Sequence, residues 1–225
     1  MDTDLKNETP ILWELPADQE TIIVDEIPRP PEKPLYEAVK RLFDLVFSFL
    51  GLIVLLIPMA VIALIIVLDS PGNPIYSQKR LGKDEKPFTI FKFRSMRVDA
   101  EEDGLRWAED GDPRITKIGT FLRRSRLDEL PQLMNILTGQ MSFVGPRPER
   151  PEFYRVFDTY IIGFRQRMLV KPGLTGLAQV RGGYNLRPEE KIVYDLKYIQ
   201  NRSIRLDLKC LLCTARIVLT GKDAR

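Results

Sequence analysis

The spacing of apolar residues divides the chain into three unequal parts. Residues 1–34 follow neither a helical nor a strand period and carry Pro10, Pro16, Pro28, Pro30, Pro31 and Pro34, which predicts a mostly extended tail. Its one run with strand character is Ile22-Ile23-Val24. Residues 45–68 then supply 24 positions without a charge. As a helix this run is about 36 Å long against a hydrocarbon core of about 30 Å, which suits a membrane and not the core of a domain this size. Pro58 divides it into 13 and 10 residues, about 20 and 15 Å of helix, each too short to cross alone. Bases flank both ends, Lys40 and Arg41 before and Lys79, Arg80, Lys83 and Lys86 after, whereas a spanning helix concentrates them on one side. The pattern predicts a helix that bends at Pro58 and leaves by the leaflet it entered, with a kinked spanning helix as the alternative.

Beyond residue 69 the periods are shorter and mixed. Ser70-Pro71-Gly72-Asn73-Pro74 reads as a loop, followed by strands over 75–78 and 88–93 around a Gly82-Lys83-Asp84 turn. Residues 115–138 predict two helices separated near Ser125. Residues 152–169 predict one amphipathic, arginine-bearing helix, ended by Pro172-Gly173, and two more helices cover 188–202 and 204–220. The class is α+β, mostly helical.

Composition narrows the chemistry. The chain has no histidine, which excludes Ser-His-Asp and Cys-His nucleophiles and imidazole zinc sites. Cys210 and Cys213 cannot build a disulfide framework, and on an apolar helix they read as buried small side chains. The start is acidic and the apolar run begins late, so the tail is not a secretory signal. The net charge of +3 hides −6 on residues 1–34 and +9 on the remainder, and a basic body expects anionic partners.

The densest candidate site is Arg123-Arg124-Ser125-Arg126-Leu127-Asp128-Glu129-Leu130-Pro131-Gln132-Leu133. Pro131 suggests a helix beginning near Asp128, with both carboxylates at its positive amino end. A capped acidic first turn would look similar, but a cap does not need three arginines beside it. An aspartate attacking a phosphate faces a repulsion of about 4 kcal/mol at 4 Å, about a thousandfold in rate, so arginines and a magnesium ion would have to offset it. Gly145-Pro146-Arg147-Pro148 holds one arginine between two rings, either a rigid turn or a preorganised contact to phosphate. In Phe91-Lys92-Phe93-Arg94-Ser95-Met96 a period of two places Lys92 and Arg94 on one face, as a solvated strand would too. Lys171-Pro172-Gly173-Leu174-Thr175-Gly176 reads as a structural glycine turn.

In this order the pieces resemble the bacterial sugar transferases, the monotopic phosphoglycosyl transferases that act on polyprenyl phosphates. The resemblance runs from residue 36 almost to the end. It rests on Lys40-Arg41-Leu42-Phe43-Asp44, Gln78-Lys79-Arg80-Leu81-Gly82, Ile115-Thr116-Lys117-Ile118-Gly119, Asp128-Glu129-Leu130-Pro131-Gln132-Leu133, Gly145-Pro146-Arg147-Pro148 and Tyr194-Asp195-Leu196. It implies a re-entrant membrane helix over 35–69 broken at Pro58 and a small cytoplasmic catalytic domain over 70–225 with a β-hairpin and amphipathic interfacial helices, and it leaves the acidic tail over 1–34 unexplained. It implies transfer of a sugar phosphate from a nucleotide-sugar, usually a UDP-sugar, to a polyprenyl phosphate such as undecaprenyl phosphate at the bacterial inner membrane. That is the first membrane step of surface-glycan, lipopolysaccharide or exopolysaccharide synthesis. By the same resemblance Asp128 is the nucleophile and Glu129 completes the dyad and helps hold Mg²⁺. Arg123 would bind phosphate, the Pro146-Arg147-Pro148 turn would place the nucleotide, and Lys92 and Arg94 would assist. Ile57 stands where a serine commonly precedes the proline, and Gln179-Val180-Arg181-Gly182-Gly183-Tyr184 departs from the usual Asn-Gly-Arg.

A second class fits the basic body: a membrane-anchored module gripping anionic lipid or nucleic acid without turnover. The carboxylates at 128 and 129 tell against it, since an anion binder gains nothing from acids among its arginines. Membrane lipid is an expected partner and nucleic acid is not, and the Ile-Ile-Val segment could pair with a neighbouring copy in a homo-oligomer.

Overall fold

The computed structural model of the chain describes residues 20–102, 104, 111–182 and 186–220. One long helix, α1 (Pro34–Asp69), runs without interruption through Pro58, so the break expected at that proline is not formed; a single proline removes one backbone hydrogen bond without having to end the helix. It meets the membrane length criterion and is almost unburied, with Phe49, Val54, Leu56, Ile57 and Leu64 all more than half exposed. The exception is one stripe. Ile66 is buried against Phe93 and Leu122, while Leu52 and Leu55 pack on Leu133 and Ile136. Gly51 lets Leu133 come close, since a Cβ there would lie 3.2 Å from its methyl carbon.

The body ties down both ends of α1. At the start Arg41 donates to the carbonyls of Ile136 and Leu137 at 2.7 and 2.8 Å, and Asp44 accepts from Ser142 Oγ and Phe143 N at 3.1 and 3.0 Å. At the far end Arg94 donates to the carbonyls of Pro71 and Ser70, supplying partners for oxygens that the last turn of a helix leaves free.

The body itself is small helices around short strand pairs. The hairpin predicted around Gly82 forms from β2 (Ile75–Leu81) and antiparallel β3 (Pro87–Phe93), with Tyr76 opposite Lys92. The two helices expected over 115–138 become α2 (Lys117–Arg124), a 3₁₀ turn over Leu127–Gln132 and α3 (Leu133–Leu137). An α-helix therefore does not begin at Asp128. Pro131 inside the turn cannot donate a hydrogen bond, and its ring would clash with the carbonyl four residues back, so the chain tightens into 3₁₀ until the proline is passed.

The expected single helix over 152–169 is likewise divided. It forms α4 (Pro151–Tyr160), then β5 (Ile161–Ile162) and a 3₁₀ turn over Phe164–Leu169. The break has two causes. Gly163 takes a left-handed φ of 94°, and Ile161 and Ile162 pair in parallel with β1 (Ile22–Ile23) of the amino-terminal segment. The strand expected at 22–24 therefore exists and is bound within the chain. A third pair joins β4 (Ser142–Val144) to β6 (Gly173–Thr175). Then come α5 (Leu177–Gly182), α6 (Pro188–Asn201) and α7 (Ile204–Thr220). The main core gathers α4, α6 and the Phe164–Leu169 turn around Tyr154, Phe157, Phe164, Ile192 and Ile199.

Candidate active site

Asp128 and Glu129 owe their position to the chain on either side. The Thr116 hydroxyl caps α2 by accepting from Gly119 N at 3.0 Å. Gly119 presses on Ser95, just beyond β3, so closely that a Cβ would lie 2.0 Å from its carbonyl oxygen. After α2, Arg126 adopts φ 61°, an uncommon and costly conformation for a side-chain-bearing residue. That turn folds the next residues inward, and Asp128 and Glu129 end 8% and 6% exposed.

The two carboxylates are treated differently. Glu129 Oε1 accepts from Arg147 Nη2 at 2.5 Å and lies 3.6 Å from Lys92 Nζ. Burial alone would raise Glu129, but Arg147 and Lys92 outweigh it and hold its carboxyl below the usual range. No hydrogen bond reaches the Asp128 carboxylate from any described residue. Burial pushes it up, and the negative charge of Glu129 adds to the rise against the pull of Lys92, Arg147 and Arg123. Burial likewise brings Lys92 down to about 8, with Arg147 adding to the fall. The result is an ionised, anchored glutamate beside an aspartate whose oxygens are left without a partner.

The other predicted residues separate into those at this site and one that is not. Arg123 belongs to it: its Nε donates to Ser95 Oγ at 2.9 Å while its charge acts on Asp128. Arg147 joins through Glu129. Pro146 and Pro148 act through their carbonyls, which accept from Gly173 N at 2.9 Å and from Arg80 Nη1 at 3.2 Å. The glycine turn after Lys171 is structural as expected, and its reason is close backbone approach. A Cβ on Gly145 would lie 2.4 Å from the Lys171 oxygen, and one on Gly176 2.1 Å from the Gly145 oxygen. Arg94 is the correction. Its guanidinium is committed to the carbonyls at the end of α1, because strand β3 ends at Phe93 and the chain turns toward Pro74, to which Arg94 N donates.

Sequence reasoning passed over a second charged cluster directly behind the Pro-Arg-Pro turn. Glu149 is buried and lies 3.5 Å from Arg80 and 3.9 Å from Arg167. Arg167 in turn donates twice to Asp195 Oδ2, at 2.9 and 2.6 Å. Burial would raise Glu149, but Lys191, Arg167 and Arg80 hold it down. Its adjacency to Pro148 was the one signal available; Arg167 and Asp195 lie 28 residues apart in sequence, and nothing in their local pattern joins them.

Among the described residues no three metal-ligating side chains cluster. The donor set is therefore two carboxylates, one of them without a hydrogen bond from any described residue, within a basin of arginine and lysine. Such a basin suits an anionic ligand, and it lies on a body attached to a helix long and apolar enough to cross a membrane. The chain belongs to the bacterial sugar transferase family, whose model matches residues 35–221. It is 40% identical over 195 residues to the UDP-N-acetylgalactosamine-undecaprenyl-phosphate N-acetylgalactosaminephosphotransferase of Aeromonas hydrophila, covering 85% of this chain and 46% of that protein. It is 39% identical over 204 residues to the UDP-glucose:undecaprenyl-phosphate glucose-1-phosphate transferase of Escherichia coli strain K12, covering 85% and 44%. The exopolysaccharide production protein PSS of Rhizobium leguminosarum bv. phaseoli is 42% identical over 190 residues, 80% of this chain and 95% of that one. The chain thus spans less than half the length of the first two relatives and nearly all of the third.

Proposed function

We propose that this protein transfers a sugar phosphate from a UDP-sugar to a polyprenyl phosphate through a covalent intermediate on Asp128. The observation that carries the reading is the asymmetry of the dyad: Glu129 is anchored by Arg147 and Lys92, while the neighbouring carboxylate accepts no hydrogen bond from the described residues. A nucleophile must keep a lone pair free, and a buried one reacts without shedding a water shell.

In the first step an Asp128 oxygen attacks the phosphorus that bears the sugar. The bond to the bridging oxygen breaks and UMP leaves, with a phosphosugar on the carboxylate. In the second, an oxygen of the polyprenyl phosphate attacks the same phosphorus, the acyl-phosphate bond breaks and Asp128 is freed. Lys92, Arg123 and Arg147 offset the repulsion between aspartate and diphosphate. Asp128 and Glu129 would hold Mg²⁺, which typically takes one or two carboxylates plus substrate oxygens, and it would supply further charge neutralisation.

The topology we infer is re-entrant, with the active site on the cytoplasmic face. What supports it is that one body binds Arg41 and Asp44 at the start of α1 and Ile66 to Pro71 at its end. A helix spanning the bilayer would carry one of those ends to the other side, away from a body confined to one face.

The test of the chemistry is incubation with a panel of UDP-sugars and polyprenyl phosphate. UMP release is expected with one sugar, with label retained on the protein when the lipid is withheld. Release without any protein-bound label would remove the covalent step. The topology is tested with Leu5→Cys in a chain whose Cys210 and Cys213 are replaced. An impermeant thiol reagent should label it only after lysis, and labelling of intact cells would mean that the helix spans.

A further inference from the structure

Residues 20–33 lie outside the stretch that matches the family, 35–221, yet they are fastened along the body. Beyond the pairing of β1 with β5, Val24 N donates to the Ile162 carbonyl at 3.0 Å. The Gln166 amide is used at both ends: its Oε1 accepts from Ile27 N at 2.7 Å and its Nε2 donates to the Asp25 carbonyl at 3.1 Å. Val24 and Ile27 pack on the main core. Farther on, Arg202 donates to the Pro31 carbonyl at 2.8 Å, and Lys33 donates to the Arg202 carbonyl at 2.9 Å.

Gly163 shows that the body is shaped to admit this segment. Besides its left-handed φ, a Cβ there would lie 2.8 Å from the Val24 oxygen and 2.8 Å from Gln166 Nε2. The segment also touches a consequential part of the molecule. Gly163 and Gln166 bracket the start of the Phe164–Leu169 turn, which contains Arg167 and Met168. Those two residues line a small cavity together with Pro146, Arg147 and Pro148. Arg167 also faces Glu149, two residues beyond the arginine that anchors Glu129.

We propose that residues 22–27 are a positioning strap for the donor site. By pinning Gly163 and Gln166 they hold the Phe164–Leu169 turn, and through Arg167 and Glu149 they hold the Pro-Arg-Pro turn at the height where Arg147 meets Glu129. Strand addition is a common way for an extended segment to bind a folded body, with main-chain hydrogen bonds providing the grip. This role rests on the transferase reading, because the strap touches no catalytic group and acts only through the placement of Arg147.

The full-length chain tests it with Val24→Pro, which deletes the donor to Ile162 while its predecessor stays extended, and with Gln166→Ala, which removes both amide contacts from the other side. Each should raise KM for the UDP-sugar about fivefold or more, the scale of the one hydrogen bond lost in Val24→Pro and the two lost in Gln166→Ala, with kcat within about twofold. Because both cut the same attachment, the double variant should do no more than the stronger single one. Amide hydrogen exchange should quicken at 145–149 and 164–169 in both variants and stay unchanged along 75–93. Unchanged KM in both, additive effects, or exchange that rises only within 20–33 would overturn the strap. If the wild-type chain releases no UMP from any UDP-sugar, the transferase reading fails instead, while the exchange comparison still decides whether the segment holds the turn.

Discussion

Two buried aspartates in this protein meet opposite fates. Asp195 is 1% exposed and Asp128 8%, and burial is the first influence raising both. At Asp195 Arg167 opposes that rise directly, donating two hydrogen bonds to one oxygen from a fork that is itself buried. At Asp128 the next influence is another carboxylate, and no donor arrives from the described residues. Arginines stand near both, so the difference lies in the hydrogen bonds that Arg167 gives Asp195 and in the second negative charge beside Asp128. A carboxylate held in a guanidinium fork is an attachment point, whereas one kept buried beside an anchored acid is left with its lone pairs available.

The sharpest way to break the comparison is to neutralise each acid in turn. Asp128→Asn preserves size and turn geometry and should lower sugar transfer by at least about a thousandfold, with the melting temperature nearly unchanged. UMP release by purified variant protein measures it. Arg167→Ala should do the reverse, costing about 3–5 kcal/mol of stability because Asp195 is left as an uncompensated buried charge. Denaturant or thermal unfolding in detergent is the readout, and a stable variant would mean that water reaches Asp195. Glu129→Gln tests the anchored member of the dyad. It should lower turnover about tenfold or more and raise the Mg²⁺ concentration needed for half-maximal rate, and chelator should stop the wild-type reaction until Mg²⁺ is returned. The smallest effect is expected from Arg123→Lys, which keeps the charge but loses the bond to Ser95. A rise of about fivefold in KM for the UDP-sugar is the expected cost of an imprecisely placed cation.

The strap and the dyad differ in how far the chain announces them. Asp128, Glu129, Arg123 and Arg147 were legible because they sit within short runs whose prolines and glycines restrict the backbone. Arg94 misled because period-two alternation assigns a face only while the strand continues, and β3 ends at Phe93. The helix drawn over 152–169 failed for a related reason. Its apolar spacing suits a helix, but Gly163 and the pairing of Ile161 and Ile162 with Ile22 and Ile23 impose a break that no local window contains.

Several properties were determined by the sequence alone. The 24 uncharged positions demand an apolar environment through their length and composition. The absence of histidine leaves the chemistry to carboxylates, lysines, arginines or a hard metal ion. All of these act within a few residues, through steric limits or the cost of burying charge. Only the tertiary structure decided that Asp195 belongs to Arg167, that Glu149 backs the Pro-Arg-Pro turn, and that the acidic tail carries a strand of the body. Those pairings join residues separated by between 18 and 139 positions. Their partners are chosen by which groups the packed core leaves buried together, and a buried charge accepts whichever donor the fold brings within reach.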